Sequence, residues 1–227
     1  MIPPLIVRTA LEKGLNLIAI TDHNASANVS AVIEAAKGEA LTVLPGMELQ
    51  TEEDVHVLCL FDTLDQLNRL QELVDQHLPN VPNNPEFFGE QFVVDHTGDF
   101  IRREKRLLIN ATTLSFEEAF RFVKDLDGLF IPAHVNRQAF GLIDHLGFVP
   151  PDLDVAVLEI SRHIEPSSAS SKYPQIKGYP LIQSGDVHYL ADFLGINRFS
   201  IEKPTISELK LAFQQKNGRH FEIIPHN

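Results

Sequence analysis

The sequence predicts one α/β domain with a largely parallel sheet over residues 1–227. Three observations lead there. Short aliphatic runs alternate with amphipathic stretches from end to end, as helices layered on a sheet require. The strand-like runs are apolar throughout rather than at every second residue, the pattern of strands covered on both faces. No internal repeat, low-complexity tract or linker divides the chain, and 44% hydrophobic residues suffice for a sizeable core.

The elements follow in order. Pro3-Pro4 ahead of Leu5, Ile6, Val7, Ala10 and Leu11 reads as a helix, with proline in its first turn and Gly14 at its end. Leu15 to Ile20 is an apolar strand that runs into Thr21-Asp22-His23. Asn28 to Lys37 is a helix with Val29, Val32, Ile33 and Ala36 on one face and Gly38 as its stop. Strands come next at Leu41 to Glu48 and at Val55 to Phe61. Leu64 to His77 carries Leu64, Leu67, Leu70, Leu73 and Val74 at helical spacing. Pro79 to Arg106, with prolines at 79, 82 and 85, reads as an irregular, solvated excursion holding a small hairpin near Phe92-Val93-Val94. Ser115 caps a helix running to Leu126, because Glu118 stands three residues on and an apolar face starts at Phe116. Gly128 to His134, Val155 to Ile160, Tyr179 to His188 and Phe199 to Ile201 read as further strands. A helix from Ser207 to Lys216 and a strand from Phe221 to Ile224 complete the pattern.

Composition narrows the function. Lys and Arg number 19 against 31 Asp and Glu, a net charge of −12, which disfavours a general duplex-binding surface because phosphate contact needs surplus cations. The single cysteine, Cys59, excludes an intrachain disulfide and a four-cysteine zinc module, and suits a reducing compartment. No apolar run approaches the roughly 20 residues of a membrane span, and Met1-Ile2-Pro3-Pro4 lacks the basic start of a secretory signal. These features describe a cytoplasmic acidic enzyme or binding domain that makes no membrane contact.

The chemistry gathers at strand ends. Asp22 and His23 close the first strand, Glu48 the second, His134 the fourth, and Asp186 with His188 the sixth, while His56 lies in the third and Glu159 near the end of the fifth. In parallel α/β sheets and barrels the carboxyl ends of the strands form the functional face. Histidines and carboxylates converging there repel or lose hydration unless a cation binds them, and imidazole with carboxylate suits Zn²⁺, Mn²⁺ and Fe²⁺. Each residue alone is weak: Asp22-His23 also suits a helix N-cap, and a lone histidine such as His56 is more often an ordinary core or surface residue. Asp186-x-His188 is stronger, since alternate strand residues point the same way. Their joint order points to a metal site, whereas His77, His96, His145, His163, His220 and His226 fall in predicted helices, loops or the tail.

The motifs Ile18-Ala19-Ile20-Thr21-Asp22-His23-Asn24, Leu44-Pro45-Gly46-Met47-Glu48, Glu53-Asp54-Val55-His56-Val57-Leu58, Ile131-Pro132-Ala133-His134 and Ser184-Gly185-Asp186-Val187-His188 resemble the polymerase and histidinol phosphatase (PHP) family of metal-dependent phosphoesterases. The resemblance implies a distorted seven-stranded β/α (TIM-like) barrel with two or three divalent ions, Mn, Fe or Zn. It implies His23, Glu48, His56, His134, Asp186 and His188 as ligands, with Asp22 orienting His23 or a bound water. The family opens with a strand bearing a His-x-His pair, and no histidine precedes His23 here. The first strand is therefore expected to be missing from this chain. Either about 20–25 residues of a longer chain precede Met1, which would make Met1 internal, or the protein has lost that strand. The first is favoured, since removing a barrel strand exposes unpaired edges.

The implied reaction is hydrolysis of a phosphomonoester or phosphodiester by a metal-activated water, on a small phosphorylated substrate or short nucleotide. Arg137, three residues past His134, reads equally as a phosphate clamp or as a surface salt-bridge arginine. Two other readings stand beside this one. One is a non-catalytic or degenerate PHP domain serving structure or partner binding. The other is a mononuclear metal hydrolase acting on amide bonds.

Overall fold

The computed structural model describes residues 1–224. Helix α1 (Pro3–Glu12) starts at its two prolines, and the chain turns at Gly14, whose φ of 71° lies in the left-handed region. Then come β1 (Leu17–Ile20), α2 (Val29–Ala35), β2 (Thr42–Gln50), β3 (His56–Leu60) and α3 (Leu64–His77). The excursion contains α4 (Pro85–Phe88) and a hairpin of β4 (Phe92–Val94) and β5 (Phe100–Arg103). After it follow α5 (Phe116–Asp125), β6 (Leu129–Pro132), α6 (Leu142–Leu146), β7 (Leu158–Ile160), α7 (Pro166–Lys172), β8 (Leu181–Gln183), β9 (Asn197–Ser200), α8 (Ile206–Phe213) and β10 (His220–Ile223). The expected capping box at Ser115 and Glu118 is present, and a second one, Thr63 with Gln66, starts α3. The short helices α6 and α7 have no counterpart in the sequence pattern, since five and seven residues leave too few turns for an amphipathic period.

The fold is mixed α/β, and its main sheet departs from the parallel expectation. Strands run in the order β1-β2-β3-β6; β1 and β2 are parallel, but β3 is antiparallel to both β2 and β6. Connection length explains this. Only residues 51–55 separate β2 from β3, and a parallel crossover needs about a dozen or more. The remaining strands pair as β7 with β8 (parallel), β4 with β5 and β9 with β10 (both antiparallel). Among the described residues these pairings do not close into a ring, and β1 at the sheet margin is half-buried rather than covered on both faces.

Both faces of β2, β3 and β6 are packed, because successive side chains point opposite ways. Met47, Leu49, Val57, Cys59 and Phe130 face a core shared with α3 and α5 through Leu67, Leu70, Phe116 and Phe120. Leu44, Leu60, Leu129 and Ile131 face a second core with Ile182 and with Leu209 and Phe213 of α8. Burying both faces fixes the register, since a slip of one residue would exchange the two sets of side chains. That register aims the polar strand ends.

Candidate metal centre

Glu48 and His56 lie on the same face of the β2–β3 ladder. Glu48 is opposite Leu58 and Gln50 is opposite His56, so the two polar residues are diagonal neighbours whose side chains meet. His56 is the first residue of β3, yet it joins residues that close β2 and β6 because β3 runs the other way. A bridge between His23 and Glu48 continues the parallel β1–β2 pairing by one more pair. His134 lies just past β6, where Val135 N–H donates to Glu159 O and ties β6 to β7. Asp186 and His188 do not share a strand, because β8 stops at Gln183 and Asp186 takes a φ of 46°. Gly185 makes that turn: a Cβ there would lie 2.1 Å from Asp192 O.

Glu48 is the hub. Its Oε1 lies 2.8 Å from His56 Nδ1 and 3.5 Å from His134 Nε2, and its Oε2 lies 3.7 Å from His23 Nδ1. Burial works against ionisation of Glu48, but hydrogen bonds from His134 and His56 outweigh it and hold the carboxyl far below the ordinary range. Burial depresses the pKa of His23, with Glu48 acting in the opposite direction. Three buried ring nitrogens, His23 Nδ1, His56 Nε2 and His134 Nδ1, have no hydrogen-bond partner. Orphaned nitrogens next to an ionised carboxylate fit a divalent cation, and His23, Glu48 and His56 each offer an atom within 4.8 Å of the others. His134 and Asp186 also hold left-handed backbone, at φ 31° and 46°, the kind of strain that collects at functional sites.

The other side of the cluster is looser. His188 packs 5.9 Å from His23 between ring centroids, and its side chain is 57% exposed. Asp186 Oδ2 pairs with Arg137 Nη1 at 2.7 Å, so Arg137 forms an ion pair here. Asp22 Oδ2 accepts from Asn28 Nδ2 at 3.4 Å, and Asp22 O accepts from Glu48 N–H at 3.1 Å. Asp22, His23, Glu48, His134, Asp186 and His188 border a cleft of about 1080 Å³, lined elsewhere by Leu44, Leu129, Ile131 and Ile182.

Two neighbours of the cluster lie outside the ligand set that the resemblance implies. Glu159 is buried; its Oε1 accepts from His134 N–H at 3.2 Å and its Oε2 accepts from Ser184 Oγ at 2.8 Å. Burial pushes its carboxyl up to about 7. The signal for it is its place near the end of β7, shared with the other strand-end acids. Phe140 stacks on His56, centroids 4.3 Å apart and planes 3° from parallel, and its carbonyl accepts from His56 N–H at 3.0 Å. No spacing or pattern marks Phe140. His145 is not idle: its Nε2 accepts from Phe140 N–H at 3.3 Å. His226 lies outside the described residues.

Comparison with known proteins fits this geometry. The PHP domain family matches residues 3–123, more than half of the chain. The lesion-specific endonuclease PfuEndoQ from Pyrococcus furiosus superposes with a TM-score of 0.68 at 22% identity. It is covered by this chain over 53% of its length, while 97% of this chain is covered. Endonuclease Q in complex with a 27-mer duplex carrying an abasic lesion at the active site gives a TM-score of 0.67 at 20% identity, with 97% of this chain and 53% of that one covered. An amidohydrolase from Chromobacterium violaceum gives 0.56 at 16% identity, over 99% of this chain and 87% of its own. At such identities the likeness is one of fold. The chain spans about half the length of the endonuclease Q structures. No curated protein matches the sequence.

The endonuclease Q complex corrects the expectation of a small phosphorylated substrate or short nucleotide without duplex DNA. The charge argument behind that expectation summed −12 over the whole chain. A phosphate backbone responds to the local field, which nearby arginines or bound cations dominate. Among the described residues no helix is long and apolar enough to cross a membrane.

Proposed function

The chain belongs to the PHP domain family, a family of metal-dependent hydrolases, and on that premise we propose that it is a metal-dependent phosphodiesterase acting on DNA. The observation that carries this reading is the set of orphaned nitrogens of His23, His56 and His134 around the ionised Glu48. His23, Glu48, His56, His134, Asp186 and His188 would hold two or three divalent ions, Mn, Fe or Zn, in a TIM-like β/α barrel. Such ions supply positive charge to phosphoryl oxygens and acidify water.

The chain's own residues do the rest. Glu48 keeps its negative charge across the neutral range and orients two imidazoles at once. Asp22 and Asn28 fix the segment that carries His23. Arg137, now on Asp186, offers a fork of N–H donors to a phosphate. Glu159, with its carboxyl near 7, gives or takes a proton at Oε2 close to neutral pH, with Ser184 Oγ as the adjacent relay. DNA as the substrate rests on the fold shared with endonuclease Q.

The test uses chelator-stripped protein reloaded with Mn, Fe(II) or Zn and an end-labelled duplex with or without an abasic site. Expected are incision of DNA with metal and none with chelator or in Glu48→Gln. Absence of stoichiometric metal binding defeats the proposal. So does metal-loaded protein that cleaves aryl amides but no phosphodiester, the outcome that the amidohydrolase-like fold would favour.

A further inference from the structure

The β4–β5 hairpin gathers exposed aromatic rings and cations in one place. Phe92 and Phe100, 46% and 58% exposed, meet edge to face at 5.6 Å, and the Arg103 guanidinium lies over both rings at 5.5 and 5.7 Å. Ile101 is exposed beside them, and so is Phe87 on α4. Contiguous exposed aromatics on a soluble surface mark a binding face. The charge is local too: residues 102–106 hold four cations and one acid in a chain with 19 cations and 31 acids. Arg102 and Arg103 are exposed and pair with the part-buried Glu104 and with Glu90, while Arg106 is held by Asp75 and Glu104. The two exposed arginines can exchange their partners for a stronger anion.

Position decides what this face serves. Asn28 Nδ2 donates to Asp22 Oδ2 at 3.4 Å and to Phe92 O at 3.1 Å, while Asn28 Oδ1 accepts from Val94 N–H at 3.0 Å. One side chain thus clamps β4 to the residue before His23. A ledge of aromatic rings with arginine and lysine beside it, joined to the rim of a metal cluster, has the chemistry of a surface that stacks unpaired bases and holds a phosphate backbone.

We propose that the β4–β5 hairpin binds a single-stranded stretch of nucleic acid next to the metal centre, with Phe92 and Phe100 stacking bases and Arg102 and Lys105 contacting phosphates. This rests on the phosphodiesterase reading for the nature of the polymer, but not for its binding. A second copy of the chain or another protein is the competing occupant; exposed rings set beside cations favour a nucleic acid, and the measurements below separate the three.

The experiment keeps the two readings apart by measuring binding in chelator, where nothing is cleaved. Anisotropy of a fluorescein-labelled 20-nucleotide single strand of mixed sequence is followed across a salt series with the full chain. The double variant Phe92→Ser/Phe100→Ser is expected to bind at least about fivefold more weakly, the lower end of what one stacked base contributes. Arg102→Gln/Lys105→Gln is expected to lower the salt slope by about 0.7 for each phosphate that is no longer neutralised. Unchanged affinity and slope in both variants overturn the proposal, as does failure of the parent chain to bind the strand. A parent that self-associates on size exclusion while the Phe variant is monomeric, with equal DNA affinity, overturns it in favour of a dimer face. Metal-dependent hydrolysis of a small aryl phosphodiester by the parent chain judges the phosphodiesterase reading separately.

Discussion

The two sides of the candidate centre are built differently. His56 opens β3, Glu48 lies two residues before the end of β2, and His134 and His23 stand two and three residues past β6 and β1; Glu48, His56 and His134 are buried. Asp186 and His188 stand in a loop past β8, partly or largely exposed, and Asp186 is neutralised by Arg137. Backbone register places the first group, so its geometry is pre-arranged at the cost of burying imidazoles that lack partners. A turn at Gly185 places the second, which leaves it free to adjust. A site with one rigid side and one yielding side can hold a cation firmly and still accept a substrate.

The largest expected effect separates the two sides. Glu48→Ala should abolish metal binding, beyond the about 10–100-fold loss typical of an outer-shell partner. It should also cost metal-free protein about 1–3 kcal/mol, because His56 and His134 lose their buried acceptor. Asp186→Ala should weaken metal binding too, yet cost the metal-free protein only about 0–1 kcal/mol, as a partly exposed pair does. Calorimetric metal titration and urea unfolding of both variants read this. Equal losses of stability would erase the distinction between the sides.

Titration sharpens it further. Glu159 has a folded pKa of about 7 against an ordinary 4.5, so the folded state holds its proton more tightly. Its contribution is fully present below pH 4.5 and is lost as pH rises through 7, by up to about 1.4 kcal/mol per pH unit. Glu48 has the opposite sign, its contribution being present above the ordinary carboxylate range and lost in acid. His23, depressed by burial, makes stability rise with pH near its ordinary value of 6.5. Urea unfolding of metal-free protein from pH 4.5 to 8 should therefore show the advantage of the parent over Glu159→Gln shrinking steadily. A constant difference would mean that Glu159 titrates normally.

Much of the rigid side is legible in the sequence, for a physical reason. His23, Glu48 and His134 follow aliphatic runs that must be buried, and a polar residue directly after such a run has few explanations. The direction of β3 is also legible in principle, since five residues after Gln50 cannot carry a parallel crossover. The yielding side is not, because Tyr179 to His188 looks like one strand until Gly185 turns it. Phe140 and Asn28 carry no signal in the sequence. Their roles come from neighbours that the tertiary fold brings to them, His56 to Phe140 and Phe92 to Asn28.

Phe140 tests whether the rigid side relies on such neighbours. Its ring covers His56 and its carbonyl holds the His56 N–H. Phe140→Ala should cost about 0.5–1.5 kcal/mol and broaden the His56 ring signals in NMR of metal-free protein. Unaltered signals would show that Glu48 alone orients that imidazole.

The smallest effect bears on how the two sides communicate. Arg137 occupies Asp186 at 2.7 Å, in the place where a cation would otherwise satisfy that carboxylate. On the proposed ligand set a metal ion and Arg137 would compete for Asp186, and release of Arg137 would free its guanidinium for a phosphate. Arg137→Gln should change the stability of metal-free protein by no more than about 1 kcal/mol. It should tighten metal binding, by at most about fivefold if the whole pair energy is returned, while hydrolysis by the loaded protein falls. Tighter binding with lower turnover can arise only if one residue acts against the metal and for the substrate. Weaker metal binding would show instead that Arg137 holds Asp186 in the geometry that the cation needs.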